Sequence, residues 1–589
     1  MEKDILQLSN DGRTLEKVLR KNVNYIAIPY SVTKIGEWAF CDCNSLESIF
    51  IPDSVAEIGD RAFFGCTSLE SIVLPNSGVE IVRSFDNTKW YENQPDGLVY
   101  INNMLYDFKG EVKNNHLEIK EGTVDICAFA FFCCESLESI IIPNTVKKIG
   151  GSAFMRCTAL KRMIIPDSVT VIGWSAFWDC TSLESIDIPN SVTKILHCAF
   201  CGCTSIKNID IPNSLNEISV GAFSGCTSLE SIDIPNTITK IGDNAFSGCT
   251  SLKSIDIPDS VNEIGNGAFS GCTSLESIDI PNTITKIGDK AFSSCTSLKG
   301  VDIPNSVTQI GDSAFKDCIS LKSIDIPNSV TKIGDGAFSY CKSLNSIVIP
   351  ITVEKIENDA FEGCTSLESV DIPNSVTKIG DSVFSYCKSL KSIVIPNSVT
   401  IIGNCAFYHC TSLKSIDIPN SVTKIGDCAF YHCTSLESID IPNSVTKIGD
   451  GAFSYCKSLN SIVIPIIVEK IEDDVFEGCT SLESIDIPNS ITKIGDSSFS
   501  GCTSLESIVI PSLVTKIGYK VFNNCTSLKS IHIAIEKIEN LIIDENTFEG
   551  VNKDECILYI PSGTRWAYKH HEIFGVFKNI EIEKSNVHF

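Results

Sequence analysis

"CTSLESIDIPNSVTKIGDGAFSYC", residues 433–456, begins and ends on a cysteine, and close copies of it fill most of the 589-residue chain. The copy at Leu229–Cys249 shows how one unit is built. Leu229, Ile232 and Ile234 alternate with polar residues at strand spacing, which turns Asp233 to the opposite face. Pro235 stops that strand, because it brings no N–H to a ladder. Ile238 and Ile241 mark a second short extended piece, and Ala245, Phe246 and Cys249 close the coil. These are eight inward apolar positions in a 23-residue period. Burying the larger ones contributes about 1.5–3 kcal/mol apiece. Ordering the backbone costs about 1–2 kcal/mol per residue. One unit alone therefore falls short, whereas stacked units share their cores.

The columns make the period plain. Seventeen prolines run from Pro143 to Pro511 in one unbroken register, after Pro29, Pro52 and Pro75 in the same spacing. Twenty phenylalanines keep step, from Phe40 to Phe522, and twenty cysteines follow three residues behind them, from Cys43 to Cys525. A fixed short period of this kind predicts a solenoid. About 22 turns, each advancing roughly 4.8 Å, make a stack about 100 Å long. A glycine usually follows the second strand, as at Gly242. Leu196, Ser219, Glu357 and Glu472 also occupy that slot, so a flexible tight turn is expected there rather than a backbone only glycine can adopt.

The register breaks once. Pro75 to Lys120 spans 45 residues, one short of two periods. Within the break, "GLVYINNMLYDF" reads as a hairpin turning at Asn102-Asn103, with Tyr100, Tyr106 and Phe108 on its arms. At the other end, "CILYIPSGTRWAYKHHEIFGVFKNIEI" predicts a last strand and a helix from Thr564 to His571. The organisation expected is an N-terminal cap over 1–24, repeats over 25–82, a hairpin insertion over 83–116, repeats over 117–550 and a C-terminal cap over 551–589. A longer duplication overlies this: "GDGAFSYCKSLNSIVIP" occurs at Gly334 and again at Gly449, five periods on. Some of the sameness is therefore copied text.

Composition bounds the function. The chain carries 73 acidic against 47 basic residues, a formal net charge of -26. That balance argues against nucleic acid as a general partner, which needs a basic surface. The first residues have no secretory apolar run, the tail "EIEKSNVHF" is polar and carries no anchor signal, and no apolar stretch is long enough for a transmembrane helix. On these residues alone the expectation is a soluble, cytoplasmic monomer with reduced thiols. Nucleophile elbow, HExxH and phosphate-loop patterns are missing, so no catalytic residue, cofactor or metal is assigned and no enzyme is expected.

The consensus "SLxSIxIPNSVTKIGDxAFxxCTS" resembles the BspA-like leucine-rich repeat family over nearly the whole chain. The interruption "WYENQPDGLVYINNMLYDFKG" and the closing "ILYIPSGTRWAYK" are similar to features of that family. The resemblance implies a right-handed leucine-rich repeat superhelix with short β-strands and a binding or adhesive role, since several relatives are surface proteins that engage host matrix or other cells. It implies a cell-surface or secreted location, and it brings no catalytic residues with it; the alternative, favoured by the missing export signal, is an intracellular leucine-rich repeat scaffold.

Candidate binding residues lie on the outward side of the first strand. Asp187, Asp210, Asp233, Asp256, Asp279, Asp302 and Asp325 hold that slot in seven successive units, and Asp371, Asp417, Asp440 and Asp486 continue it intermittently. This is either an acidic face for a basic partner or a solvated face multiplied by duplication. Elsewhere the slot is apolar: Phe50, Val73, Ile141, Ile164, Val348, Val394, Val463 and Val509. Exposed apolar residues on a strand face favour a protein partner, and Phe50–Val73 with Ile141–Ile164 form the densest group, on either side of the hairpin. Lys207, Glu230, Lys253, Glu276 and Lys299 alternate in sign and read as cross-strand pairs. "CAFYHC" occurs at Cys405–Cys410 and Cys428–Cys433. Its Cys405, His409, Cys428 and His432 are zinc-ligand types, but their spacing matches no zinc pattern. His570 and His571, adjacent on the expected helix, point apart. The cysteine column, in step with Phe and Ala, reads as a reduced core wall.

Overall fold

The computed structural model of the protein describes residues 5–75 and 78–583. Residues 1–4 of the expected first cap and the end of the polar tail, 584–589, lie outside them. The chain is a β-solenoid, and its contacts divide it into two compact units, Met1–Leu275 and Glu276–Phe589. α-Helix among the described residues is confined to Lys89–Glu92 and Arg565–His570. No described helix is long and apolar enough to cross a membrane.

In the first unit, all eight inward positions read from Leu229–Cys249 are buried. The regular ladder is the second extended piece. Strand Lys240–Ile241 pairs in parallel with Glu217–Ile218 on one side and Glu263–Ile264 on the other, isoleucine beside isoleucine. The first piece, expected as a strand, shrinks to single bridges here: Asp210 to Asp233 and Asp233 to Asp256. Three-residue strands form at that place in other turns, for example Arg162–Ile164 paired with Ser185–Asp187.

The hairpin forms where expected, with strands Gly97–Ile101 and Met104–Lys109 joined through Asn102, which has a left-handed φ of 54°. It is not a detached excursion. Its second strand pairs in parallel with Asp125–Ile126 and joins the hairpin to the sheet that continues through Lys148–Ile149, Val171–Ile172 and Lys194–Ile195, with Gly97–Ile101 at the edge. Tyr106 is buried; its hydroxyl donates to Asp86 Oδ1 and accepts the Phe85 N–H, both at 2.9 Å. Tyr91 donates to Asp107. Arg83 lies over the rings of Phe129 and Phe132, 4.5 and 4.3 Å from their centroids. At the start of the unit, Leu6–Leu8 and Thr14–Val18 pair antiparallel, and the latter begins the parallel sheet.

The phenylalanine column is a stack of rings. Phe154 and Phe177 lie 5.3 Å apart with parallel planes, and Phe131 lies 4.9 Å from Phe154. The stack also continues through the register break: Phe85, 22 residues after Phe63, stacks on it at 5.1 Å. A reading tied to a 23-residue spacing passes over Phe85.

The second unit repeats these devices up to Phe522, on which Phe548 stacks at 5.5 Å although it is 26 residues on. An additional ladder appears here that the sequence reading did not identify. The residue after most turn glycines is Asp or Asn, and its side-chain Oδ1 accepts the backbone N–H of the same slot in the next turn. Asp381 thus receives the Asn404 N–H at 2.8 Å, Asn404 that of Asp427 at 2.9 Å, and Asp427 that of Asp450 at 3.2 Å. Only a short acceptor side chain fits this role.

The turn glycines have a different reason from the one expected. Gly426 has no positive φ, in keeping with the other residues seen in that slot. However, a Cβ on it would stand 2.5 Å from the Asn404 nitrogen and the Gly403 carbonyl carbon. Close approach of successive backbones, not flexibility, selects glycine there. The left-handed positions lie elsewhere: two residues after that glycine and one before the column cysteine, as at Cys428 (φ 53°) and His432 (φ 60°). Glycine at Gly451 and Gly478 meets the same need without strain.

The end of the unit closes as expected. Strand Ile557–Ile560 is followed by helix Arg565–His570, with Thr564 and His571 at its ends, and strand Asn579–Ile582 pairs in parallel with Ile557–Ile560. His532 Nδ1 and Glu583 Oε2 meet at 2.8 Å, fastening the last described residue to the sheet.

Candidate recognition surface

Strand parity sends every second side chain of the first strand outward, and the structure places the candidate residues accordingly. In the first unit, Phe50 and Val73 are register partners on strands Ser48–Phe50 and Ser71–Val73, 43% and 50% exposed. Ile141, beside Glu118, and Ile164, beside Asp187, are 52% and 60% exposed. The two isoleucines line one groove of about 500 Å³ with Ile142, Asn144, Pro166 and Asp167. Arg162 borders that groove, and its guanidinium pairs with Asp187 at 3.2 Å across the strand pair. The arrangement offers an apolar floor with a charged edge, suited to an apolar side chain of a partner next to a polar backbone.

Sequence reasoning did not find Tyr25 and Tyr30, which are exposed at the start of this unit. Tyr25 is in register with Ser48 on the sheet that carries Phe50. The signal was present in "YIAIP", where a tyrosine stands in the slot usually filled by serine.

Asp187, Asp210, Asp233 and Asp256 are all exposed in the first unit. In the second unit, Asp279, Asp302 and Asp325 are exposed and line an open groove of about 430 Å³ with Lys299 and Gly300. Asp371, Asp417, Asp440 and Asp486 are exposed as well, as are Val348, Val394 and Val463. Val509 is only half-buried, not free on the face, because it sits beside His532 in a longer strand pair near the terminal clamp.

The charge-alternating slot forms pairs in part. Lys299 meets Glu276 at 2.6 Å, and the same slot closes at Lys391–Glu368 and Lys529–Glu506. All three are exposed pairs, each contributing between nothing and about 1 kcal/mol. The outward slot of the second strand carries lysines that the overall charge hides. Lys355 is in register with Lys378 and Lys424 with Lys447, and Ile401 stands in the slot between the two pairs. These are basic pairs in an acidic protein.

Of the zinc-type residues, His409 and His432 stack ring on ring, 4.3 Å between centroids, in a contiguous set of rings with Tyr386, Tyr408, Tyr431 and Tyr455. Burial, with His432 and Lys388 nearby, lowers the pKa of His409. The imidazoles face each other and the tyrosines, and no group of three or more potential ligands converges among the described residues. His570 Nδ1 lies 2.8 Å from the Trp566 carbonyl oxygen, and His571 Nδ1 accepts the Ile573 N–H.

The cysteine column is core, and its thiols have partners. Cys157 Sγ donates to the Phe131 carbonyl at 3.2 Å in the first unit, and Cys410 Sγ to that of Phe384 at 3.1 Å in the second. Burial pushes the Cys433 thiol up to about 12.

The model for the BspA type Leucine rich repeat region matches residues 19–93, 124–251, 216–345, 333–460 and 423–555, most of the chain. The chain belongs to the BspA-type leucine-rich repeat family. Among solved structures, a leucine-rich repeat protein from Bacteroides ovatus is 32% identical, covering 64% of this chain and 92% of its own, with a TM-score of 0.50. A leucine rich cell surface protein from Faecalibacterium prausnitzii is 29% identical over 70% of this chain and 92% of its own, with a TM-score of 0.33. The pneumococcal vaccine antigen PcpA is 21% identical, covering 64% of this chain and 89% of its own, with a TM-score of 0.36. Comparison with curated protein sequences finds no match. Members of this family are repeat proteins of the protein-interaction and surface type.

Proposed function

We propose that this BspA-type repeat protein acts as a monomer by binding, not by catalysis, and that it recognises a protein partner along the outward face of its first-strand column. The observation that carries this reading is the groove floored by Ile141 and Ile164. Two large aliphatic side chains stand more than half exposed on adjacent turns. Exposed apolar groups rimmed by polar ones mark interaction sites. Arg162 and Asp187 supply a charged edge that fixes how a partner lies, and Phe50 with Val73 repeats the apolar motif elsewhere in the unit. The acidic tiers, Asp187 to Asp256 and Asp279 to Asp325, favour a partner with basic side chains. The family supports an adhesin-like role toward a host or neighbouring-cell protein.

The test is a double substitution, Ile141→Ser with Ile164→Ser, whose positions are exposed and so leave the fold intact. Binding to a panel of matrix proteins, measured by surface plasmon resonance, is expected to fall at least tenfold with an unchanged melting curve. Unchanged affinity in the folded variant rejects the site. Surface labelling of intact cells tests the adhesin role, which is rejected if the protein is tagged only after lysis.

A further inference from the structure

Cys405 and Cys428 are the adjacent cysteines of the second unit that stand outside the column. They occupy one slot on successive turns, each two residues after a turn glycine and each with a φ of 53°. The backbone fixes their spacing: the Cys405 N–H donates to the Asp427 carbonyl at 2.8 Å and the Cys428 N–H to the Asp450 carbonyl at 2.7 Å. Side chains in this slot lean along the stack toward the next turn. Cys428 Sγ lies 3.4 Å from the point where a Cβ would stand on Gly451. When the next residue is itself a cysteine, as at 428, the same lean brings the Cys405 sulfur onto its neighbour. The two thiols are near enough for each to shift the pKa of the other. A disulfide needs Cβ atoms about 3.5–4.5 Å apart with an S–S bond of about 2.05 Å, a separation that neighbouring slots on successive turns approach once the Cys428 side chain rotates from Gly451 back toward Cys405.

The column cysteines of the same turns are an internal contrast. Cys410 and Cys433 have the same sequence spacing. They are fully buried, and each thiol is already committed to a backbone carbonyl, that of Phe384 or Phe407. Cys405 and Cys428 are only half-buried. Spacing alone does not separate the two pairs; access and hydrogen-bond partner do.

We propose that Cys405 and Cys428 form a modification site that closes into an inter-turn disulfide on meeting a low-molecular-weight disulfide as oxidant. The thiolate of one cysteine attacks a sulfur of the oxidant, forming a mixed disulfide and expelling a small thiolate, which takes up the released proton. The second cysteine's thiolate then attacks the protein sulfur of that mixed disulfide, and the other half of the oxidant leaves as a thiolate and is protonated. Two electrons pass from the protein dithiol to the oxidant, which ends as two small thiols.

The surroundings set the rate. Asp381, Asp427, Asp450 and Asp474 and the phenols of Tyr408 and Tyr431 face the pair. Burial first, and then neighbouring charge, holds both thiols above their ordinary range, Cys405 at about 11. The thiolate is therefore scarce at neutral pH, and closure accelerates about tenfold per pH unit below that value.

The experiment uses the full chain, folded, with 2-hydroxyethyl disulfide, a neutral oxidant that the surrounding carboxylates do not repel. After quenching and alkylation in denaturant, proteolytic fragments are sequenced by mass spectrometry. The expected product is a cross-linked pair two hydrogens lighter than its parts, with fragmentation placing the link between Cys405 and Cys428 and with Cys410 and Cys433 alkylated. Its rate rises about tenfold from pH 7.5 to pH 8.5. Cys405→Ser is expected to abolish the link and leave Cys428 carrying one hydroxyethylthiol group. Recovery of Cys405 and Cys428 as free thiols, or as two separate mixed disulfides, overturns the proposal. So does a Cys410–Cys433 link formed at an equal rate.

Discussion

The Cys433 thiol donates to the carbonyl oxygen of Phe407, in the previous turn, at 3.1 Å. The same contact recurs one turn later, from Cys456 to Phe430 at 3.2 Å. The column cysteine is thus a small apolar filler that also supplies a weak donor to a buried carbonyl. Alanine fills less space and supplies no donor. Cys433→Ala is expected to destabilise by about 1–2 kcal/mol, and Cys433→Ser, which keeps a donor, by less. Urea midpoints of the two variants check the order, and an alanine variant as stable as the parent removes any role for the hydrogen bond.

Phe430 lies between Phe407, at 5.3 Å and 3°, and Phe453, at 5.4 Å and 1°. Truncating one ring leaves a cavity and strips a stacking partner from both neighbours. Phe430→Ala is expected to cost about 3–5 kcal/mol. Because each repeat touches only its neighbours, the loss should appear as faster hydrogen exchange in the adjoining turns of the second unit. Uniform acceleration along the whole unit would contradict a nearest-neighbour stack.

Gly426 and Gly451 look alike in sequence and differ in physics. A Cβ at Gly426 meets backbone at 2.5 Å, whereas at Gly451 the nearest atoms are the Ser454 hydroxyl at 3.3 Å and Cys428 Sγ at 3.4 Å, with φ at +59°. Gly426→Ala must push two turns apart and is expected to cost about 1–3 kcal/mol. Gly451→Ala meets only the left-handed penalty of about 1 kcal/mol. Equal melting-temperature losses would mean that the two slots are not distinct.

The core was legible because a solenoid repeats its arithmetic. Leu229, Ile232 and Ile234 could be assigned inward from parity, and Phe246 and Cys249 from the columns. What broke the period was hidden. Phe85 and Phe548 continue the ring stack at 22 and 26 residues from their partners, and a fixed spacing cannot find them. The Asp381–Asn404–Asp427 ladder was hidden for another reason: any polar residue suits an exposed turn, and only the position of the next N–H shows that an acceptor is needed. On the candidate surface, parity exposed Ile141 and Ile164. The groove between them and the Arg162–Asp187 pair depend on how adjacent turns sit, which no single strand encodes. The hairpin could be placed from its Asn102-Asn103 turn, but the contact of Tyr91 with Asp107 arises only when the chain folds back.

That contact leads to a pH dependence. Burial pushes the Asp107 carboxyl up to about 6 from an ordinary value of 3.8, even though Tyr91 donates to it. The folded protein therefore keeps a proton that the unfolded chain releases between those two values. The cost of burying the anion is absent below the unfolded value, grows through the window and is complete above about 6, so stability falls as pH rises. The full effect is on the order of 1–3 kcal/mol. Asp107→Asn keeps an acceptor for Tyr91 and removes the titration. The melting temperature of this variant minus that of the parent is expected to increase from pH 4 to pH 6 and to level off above it. Burial also raises the pKa of nearby Asp86, so a shallower slope of the same sign persists in the variant. Parallel melting curves for the two proteins across this range would show that Asp107 does not titrate there.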